Sequence, residues 1–382
     1  MKTLLGFLAM FVTATLLAQT ESTAPPISQL FDFSCNGSFS SCPQGFDPTL
    51  SPVQLSNGNF YGVTWWAGTG SSNNGGTVWK ATSAGKVTAL HTFPINSSGK
   101  FPKGENPVIG FAVGADGNLY GTTESGGTAN AGVFYKLTPA GSFRLLHNFC
   151  TAAGCTDVGG SFILGQDGNF YGAVFNTVFQ LTPQGVYTVI YNLTSSTETF
   201  SGKPLVQAAD GTFYGTGSAY PEAGFIFSLT QGGVFTILHS FGDFTLITTN
   251  IILGSDGNIY GSTYDEIFQL TPSDQFTNIH QLTQAQGLTP NFLLQASDGN
   301  LWGLAQNGGI SPDRPGTLFT LTTSGTFISS EEFNCSTTGC NPTGMVEGSD
   351  GNFYGNAITG GSAPGHNPLG TLFEVAAGLK AH

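Results

Sequence analysis

Short apolar runs rich in Phe, Tyr, Val, Ile and Leu, broken by Gly, Asn, Asp and Pro, fill this chain from Ile27 onward. Runs of this length and make-up predict antiparallel strands rather than helices. They return in a fixed order of four. An apolar run such as Pro204-Leu-Val-Gln-Ala208 or Asn250-Ile-Ile-Leu-Gly254 leads into an Asp-Gly or Asn-Gly pair. That pair favours positive φ at low cost and predicts a tight hairpin turn. A second run follows at once, in anchors that begin at Asn57, Asp116, Asp167, Asp210, Asp256, Asp298 and Asp350 and read Asp-Gly-Asn-Phe-Tyr-Gly or a close variant. The third run covers 76–82, 132–138, 177–182, 225–230, 266–271, 316–322 and 370–375. After another tight turn, often Thr-Pro-x-Gly, the fourth covers 87–93, 143–149, 187–193, 235–241, 276–282 and 327–333.

The anchors start 59, 51, 43, 46, 42 and 52 residues apart, the period of a four-stranded propeller blade. There is one fourth run too few, because the chain ends soon after the last third run. Residues 27–33, Ile-Ser-Gln-Leu-Phe-Asp-Phe, fit the fourth-run pattern and precede the first repeat. Joined to the last repeat they would remove an open sheet edge. The expected fold is therefore all-β: a seven-bladed propeller with four antiparallel strands per blade, its ring closed by an N-terminal strand. The expected organisation is a signal peptide at 1–18, one propeller domain at 19–378 and a tail at 379–382. Blades fall at about 50–93, 105–149, 160–193, 203–241, 249–282, 289–333 and 341–377, with the closing strand at 27–33.

Composition narrows the partners. Charged residues are 9%, aromatics 12% and glycines 55 of 382, which suits many strands and turns and not disorder. The net charge is −13, and ten Lys and Arg spread over the chain cannot build a phosphate-neutralising face, so nucleic acid and anionic membrane surfaces are disfavoured. Met1-Lys-Thr and the apolar stretch 4–18 read as a secretory signal peptide, giving a secreted, periplasmic or extracellular protein. No other run is long enough to span a bilayer, so no membrane insertion of the mature chain is expected. Glycosylation sequons stand at Asn36, Asn96, Asn192 and Asn334.

Six cysteines form three close pairs, Cys35 with Cys42, Cys150 with Cys155 and Cys335 with Cys340, each just after a fourth run. In an exported protein they read as three local disulfides. The competing reading, a Cys-only metal site, requires pairs on separate blades to converge. His91, His147, His239 and His280 share one column of the fourth run with Tyr191, Glu331 and Phe31. The outer rim would space them around the circumference with their tips toward solvent, not gather them on a metal. Asp-Gly-Asn resembles part of a calcium loop but lacks its further carboxylates and terminal Glu, and a hairpin turn explains it. The anchor Tyr or Trp is expected to fill the gap between blades while its polar tip finds a partner. No Gly-x-Ser-x-Gly elbow, His-Glu-x-x-His pair or phosphate-binding glycine loop is present, and no cofactor or metal is expected.

Residues 116–123 and 132–139, Asp-Gly-Asn-Leu-Tyr-Gly-Thr-Thr and Gly-Val-Phe-Tyr-Lys-Leu-Thr-Pro, resemble the GloVer-type tandem-repeat family almost letter for letter. The resemblance covers the chain after the signal peptide and implies an exported propeller of unassigned role. Asp298-Gly-Asn-Leu-Trp302 is similar, more weakly, to the virginiamycin-B-lyase-like propellers. Those imply a metal-assisted His and Glu group near the channel, for which His366 is the single histidine here off the rim and before the tail.

In a four-stranded meander, the second-to-third loops and the blade connections share one face, and here they are long and variable: 65–75, 124–131, 217–224, 306–315 and 358–369, plus the cysteine-bearing connections. Binding usually resides in such loops. Trp65 and Trp66, adjacent rings in a glycine-rich loop, are the leading ligand-binding candidates, with Glu124, Glu222, Asp313, Arg314 and His366 as polar groups. The sequence favours an exported, non-catalytic binding or scaffold module for a glycan, peptide or cell-envelope component. A lyase-like or hydrolytic enzyme at the channel mouth and a structural or assembly subunit are the alternatives, and the oligomeric state is left open.

Overall fold

The structure, a computed structural model, describes residues 24–35, 42–66, 68, 75–107, 110–150, 160–195, 197–219, 223–242, 245, 247–362 and 369–379. These residues form seven antiparallel sheets and no helix, the architecture of a seven-bladed β-propeller. Blade 3 shows the plan, with Phe162–Leu164, Phe170–Val174, Thr177–Leu181 and Tyr187–Asn192 paired in chain order. In blades 1 and 4 the innermost strand is in two pieces, Phe46–Pro48 with Val53–Gln54 and Glu198–Phe200 with Val206–Gln207. Blade 7 is completed from the other end of the chain. Ile27–Asp32 pairs antiparallel with Thr371–Val375, from Ile27 opposite Val375 to Asp32 opposite Thr371.

Each letter of the anchor has a separate physical task. The glycine after Asp takes φ between 72° at Gly117 and 86° at Gly211, where a Cβ is strained. The Asp carboxylate accepts the amide two residues on, as Asn118 N to Asp116 Oδ1 at 3.1 Å, which closes the turn. The second glycine is forced by close approach: a Cβ on Gly62 would collide with the ring of Trp79, its cross-strand partner. The same clash would set Gly121 against Tyr135, Gly303 against Phe319 and Gly355 against Phe373.

The anchor Tyr or Trp makes the seams between blades. Its ring lies on the anchor ring of the next blade: Tyr120 on Phe170 at 4.6 Å, Tyr171 on Phe213 at 4.5 Å, Trp302 on Phe353 at 4.5 Å and Tyr354 on Phe60 at 4.1 Å. Its polar tip returns to its own turn, with Tyr171 and Tyr260 donating to Asp167 and Asp256 at 2.7 Å. One side chain thus buries a ring and satisfies its hydroxyl together.

The histidine column departs from expectation. The rings are spaced around the rim, but they are stacked on neighbouring aromatic rings rather than simply extended outward, and the ring nitrogens of His91 and His280 are enclosed or hydrogen-bonded. Each lies against the first aromatic residue of the next blade's fourth strand: His91 on Phe143 at 4.3 Å, His147 on Tyr187 at 5.6 Å, His239 on Phe276 at 4.1 Å and His280 on Phe327 at 5.5 Å. Tyr191 on Phe235 continues the series at 4.8 Å. A β-bulge just before the column residue in the fourth strands of blades 1 to 5, as between Ile237 and His239, swings that residue toward the following blade. Alternation along a regular strand could not foresee this.

Candidate functional site

The face that carries the second-to-third loops is built on a clamped backbone. Asp47, Asn106, Thr289 and Asn341 each stand before a proline with φ of 54° to 56°. Their amides donate to the preceding blade, to Leu369 O (3.0 Å), Gly75 O (2.7 Å), Tyr264 O (2.8 Å) and Pro315 O (2.9 Å) respectively. Threonines that open third strands tie down the incoming connections, Thr77 through Gln44 O, Thr317 through Gln286 O and Thr371 through Thr338 O. Two of these connections carry cysteine pairs at disulfide distance, Cys35 with Cys42 (Cα separation 4.3 Å) and Cys335 with Cys340 (4.8 Å). Cys155, needed for the third pair, lies outside the described residues.

Trp65 and Trp66 are not in a loop. They end the strand Phe60–Trp66, where Trp66 pairs with Phe46. The two rings stack at 6.3 Å and 30°. Trp65 is the inner ring. The buried Asn106 amide of blade 2, oriented to suit its neighbours, accepts from Trp65 Nε1 at 3.1 Å and donates to Trp65 O at 3.2 Å. Trp66 is left 42% exposed, a flat apolar surface backed by a fixed ring.

Three more large apolar side chains stand out on this face, which the sequence reading missed. Phe175 is 60% exposed, Tyr264 58% and Ile310 85%. They sit in the second-to-third loops of blades 3, 5 and 6, and the main chain beneath each is held. Phe175 O accepts from Phe200 N and Tyr264 O from Thr289 N, while the Glu332 carboxylate accepts both Ile310 N and Ser311 N at 3.0 Å. Long loops drew attention, whereas Phe175 and Tyr264 occupy the shortest ones. The available signal was an aromatic residue in a turn too short to fold it back onto the core.

The other candidates stay apart. Glu124 lies in blade 2, and Asp313 and Arg314 in blade 6, all exposed. Glu222 and His366 lie outside the described residues. The segment 217–224, expected as a loop, is mostly paired strand, with Ala219 opposite Ala223. Among the described residues no group of three or more His, Cys, Asp or Glu comes together. Two groups are shifted by burial: Asp47, on the inner strand of blade 1, is pushed up to about 6, and Lys203, which lies between the two pieces of the inner strand of blade 4 and whose ammonium donates to Thr248 O, is pushed down to about 8.

Fold and repeat together define an all-β propeller of tandem blades. The Gloeobacter/Verrucomicrobia repeat model matches residues 26–216, half of the chain, and the chain belongs to that family. No curated protein matches it in sequence. Among solved structures it is similar to a streptogramin B lyase, at 14% identity, covering 92% of this chain and 99% of that one with a TM-score of 0.60. It is also similar to an inactive virginiamycin B lyase from Staphylococcus aureus with quinupristin, at 13% identity, 91% and 98% coverage and a TM-score of 0.60. A third is the extracellular domain of a protein described as a hybrid two-component system from B. thetaiotaomicron, at 10% identity, 91% of this chain and 40% of that one, with a TM-score of 0.58. At such identities the likeness is one of fold.

Proposed function

We propose that this chain is an exported binding propeller that takes a glycan on the face of its second-to-third loops. The observation that carries the reading is Trp66, an exposed ring backed by Trp65, whose own polar groups are spent on Asn106. Phe175 and Tyr264 extend the same kind of surface to blades 3 and 5. Apolar rings held on a clamped main chain lose little entropy on binding, and the C–H face of a pyranose matches them in shape. Exposed Glu124, Asp313 and Arg314 supply hydrogen-bonding groups on that face. Export is supported by the apolar stretch that follows Met1-Lys-Thr and by two cysteine pairs at disulfide distance.

The test is a glycan array, with peptide and envelope-fraction arms, probed with the protein and with Trp66→Ala and Phe175→Ala. Covering one ring contributes about 1.5–3 kcal/mol, so loss of the Trp66 ring should weaken glycan binding roughly 10- to 100-fold with the fold intact. Glycan binding unchanged in both variants overturns the reading.

A further inference from the structure

The seam between blades 3 and 4 differs from its neighbours on the opposite, tight-turn face. Gly85, Gly141, Gly185 and Gly325 occupy the third-to-fourth turns of blades 1, 2, 3 and 6. A Cβ on each would meet a carbonyl oxygen of the preceding blade's fourth strand, those of Leu30, Leu90, Leu146 and Ile279. The separation is 3.1 Å at Gly141 and less at the others. In blade 4 the turn is Thr230-Gln-Gly-Gly233, and a Cβ on Gly233 would meet nothing within 4 Å. The turn stands away from blade 3 and leaves a cleft of about 360 Å³. Ile190, Phe213 and Leu229 form apolar walls, and Asp167, Tyr171 and Gln180 line its polar part.

Blade 2 shows what this polar set holds. There Lys136, in the position of Gln180, places Nζ 2.6 Å from Asp116 Oδ2 and 5.6 Å from the centre of the Tyr120 ring. Tyr120 donates to Asp116 at 2.9 Å, as Tyr171 donates to Asp167 at 2.7 Å. The Asn118 side-chain amide has turned to the main-chain oxygen of Asp116, whereas Asn169 Nδ2 rests on Asp167 Oδ2 at 2.8 Å, the place the lysine takes in blade 2. Gln180 donates to the Tyr171 hydroxyl at 2.6 Å and brings no charge. Burial opposes ionisation of Asp167, but the bonds from Tyr171 and Asn169 outweigh it and hold the carboxyl below its ordinary range, so it is charged at neutral pH.

We propose that the cleft between blades 3 and 4 binds an alkylammonium group from outside the chain, its cation on Asp167 over the Tyr171 ring and its aliphatic stem against Ile190, Phe213 and Leu229. The ligand does in blade 3 what the Lys136 side chain does in blade 2, by ion pairing and cation–π attraction together. Asn169 turns aside as Asn118 has done. The site is independent of the loop face, and its occupancy neither requires nor excludes glycan binding there.

The test is titration of the full protein with n-butylamine, with n-butanol as the uncharged counterpart and Nα-acetyl-lysine methylamide as the peptide-like one, followed by amide chemical shifts. Butylamine should saturate with a dissociation constant on the order of millimolar and shift residues around 167–180 and 229–233. Butanol should bind at least about tenfold more weakly, and Asp167→Asn should cost the amine a similar factor. Gln180→Lys, which copies the blade 2 arrangement and so keeps the fold, should block the cleft to the same extent. Asp256→Asn, in the equivalent triad of blade 5 whose seam is closed at Gly325, should leave affinity unchanged. If the lysine amide binds at least as tightly as butylamine, the natural source is a lysine side chain, and if it fails to bind, a free amine. No saturable amine binding up to about 100 mM, equal binding of butanol, or full affinity in Gln180→Lys overturns the proposal.

Discussion

Replacing His91 with Phe should flatten the acid side of the stability profile. His91 is mostly buried against Phe143, and its Nε2 is enclosed without a hydrogen-bond partner. Burial first, and the nearby Lys103 ammonium second, push its pKa from 6.5 down to about 4. Lys103 lies over the same Phe143 ring, at 5.7 Å, so protonation would add a second cation beside the first. The unfolded chain takes up the proton near pH 6.5 and the folded chain only near pH 4. Stability is therefore lost as pH falls through that window. A shift of this size is worth up to about 3 kcal/mol, reduced by residual solvent access at the rim. A ring of roughly 350 residues unfolds with an entropy of about 0.7 kcal/mol/K, so the melting temperature should fall by about 3–4 °C more in the wild type than in His91→Phe between pH 7 and pH 4. Phe keeps the stacked ring and has no proton to gain. Asp47 carries the opposite sign: its pKa, raised to about 6 by burial, adds stability as pH falls from above 6 toward 3.8, so Asp47→Asn should steepen the acid loss. Denaturant titrations at pH 7, 5.5 and 4 on all three proteins separate the two. Parallel curves for wild type and His91→Phe would falsify the account.

Removal of residues 27–33 should uncover the edge of Thr371–Val375 and leave Phe373 and Leu372 without cover, producing aggregation that light scattering detects; a monomer with an unchanged melting temperature refutes it. Gly62→Ala should cost at least about 2 kcal/mol because its Cβ meets the Trp79 ring, while Gly117→Ala, with open space but φ of 72°, should cost about 1 kcal/mol; equal losses in urea titrations would contradict the packing argument. Reducing Cys35–Cys42 and Cys335–Cys340, whose sequence separations are 7 and 5, should lower stability by about 2–3 kcal/mol each and loosen the connections without opening the blades. Peptide mapping that finds those thiols free in the isolated protein removes the basis of that expectation.

The fold was legible because each anchor letter reports a local requirement. Asp-Gly makes a turn wherever it stands, and the blade period follows from counting those turns. The seams were harder to read. That Tyr171 would lie on Phe213, or His239 on Phe276, depends on a bulge and on the angle between sheets, and neither leaves a mark in one repeat considered alone. The loop face was half legible. The doublet Trp65-Trp66 betrayed itself by breaking alternation, but the division of labour between the two rings came from Asn106, which stands 41 residues beyond Trp65 in another blade. The cleft at blades 3 and 4 rests on Gly232 and Gly233, which look like any other turn until the neighbouring blades show what a closed seam requires.

The closing strand also decides how the ring responds to force. Ile27 lies opposite Val375 and Asp32 opposite Thr371, so the two ends of the domain emerge side by side from the same end of one antiparallel pair. Tension applied through the termini therefore loads the pair one hydrogen bond at a time, from Ile27 inward, like a zip. It does not shear all the bonds together. A ring held shut against heat by seven seams is, against a pull on its ends, only as strong as the first bond of a single strand, and blade 7 would part while the other six stay folded.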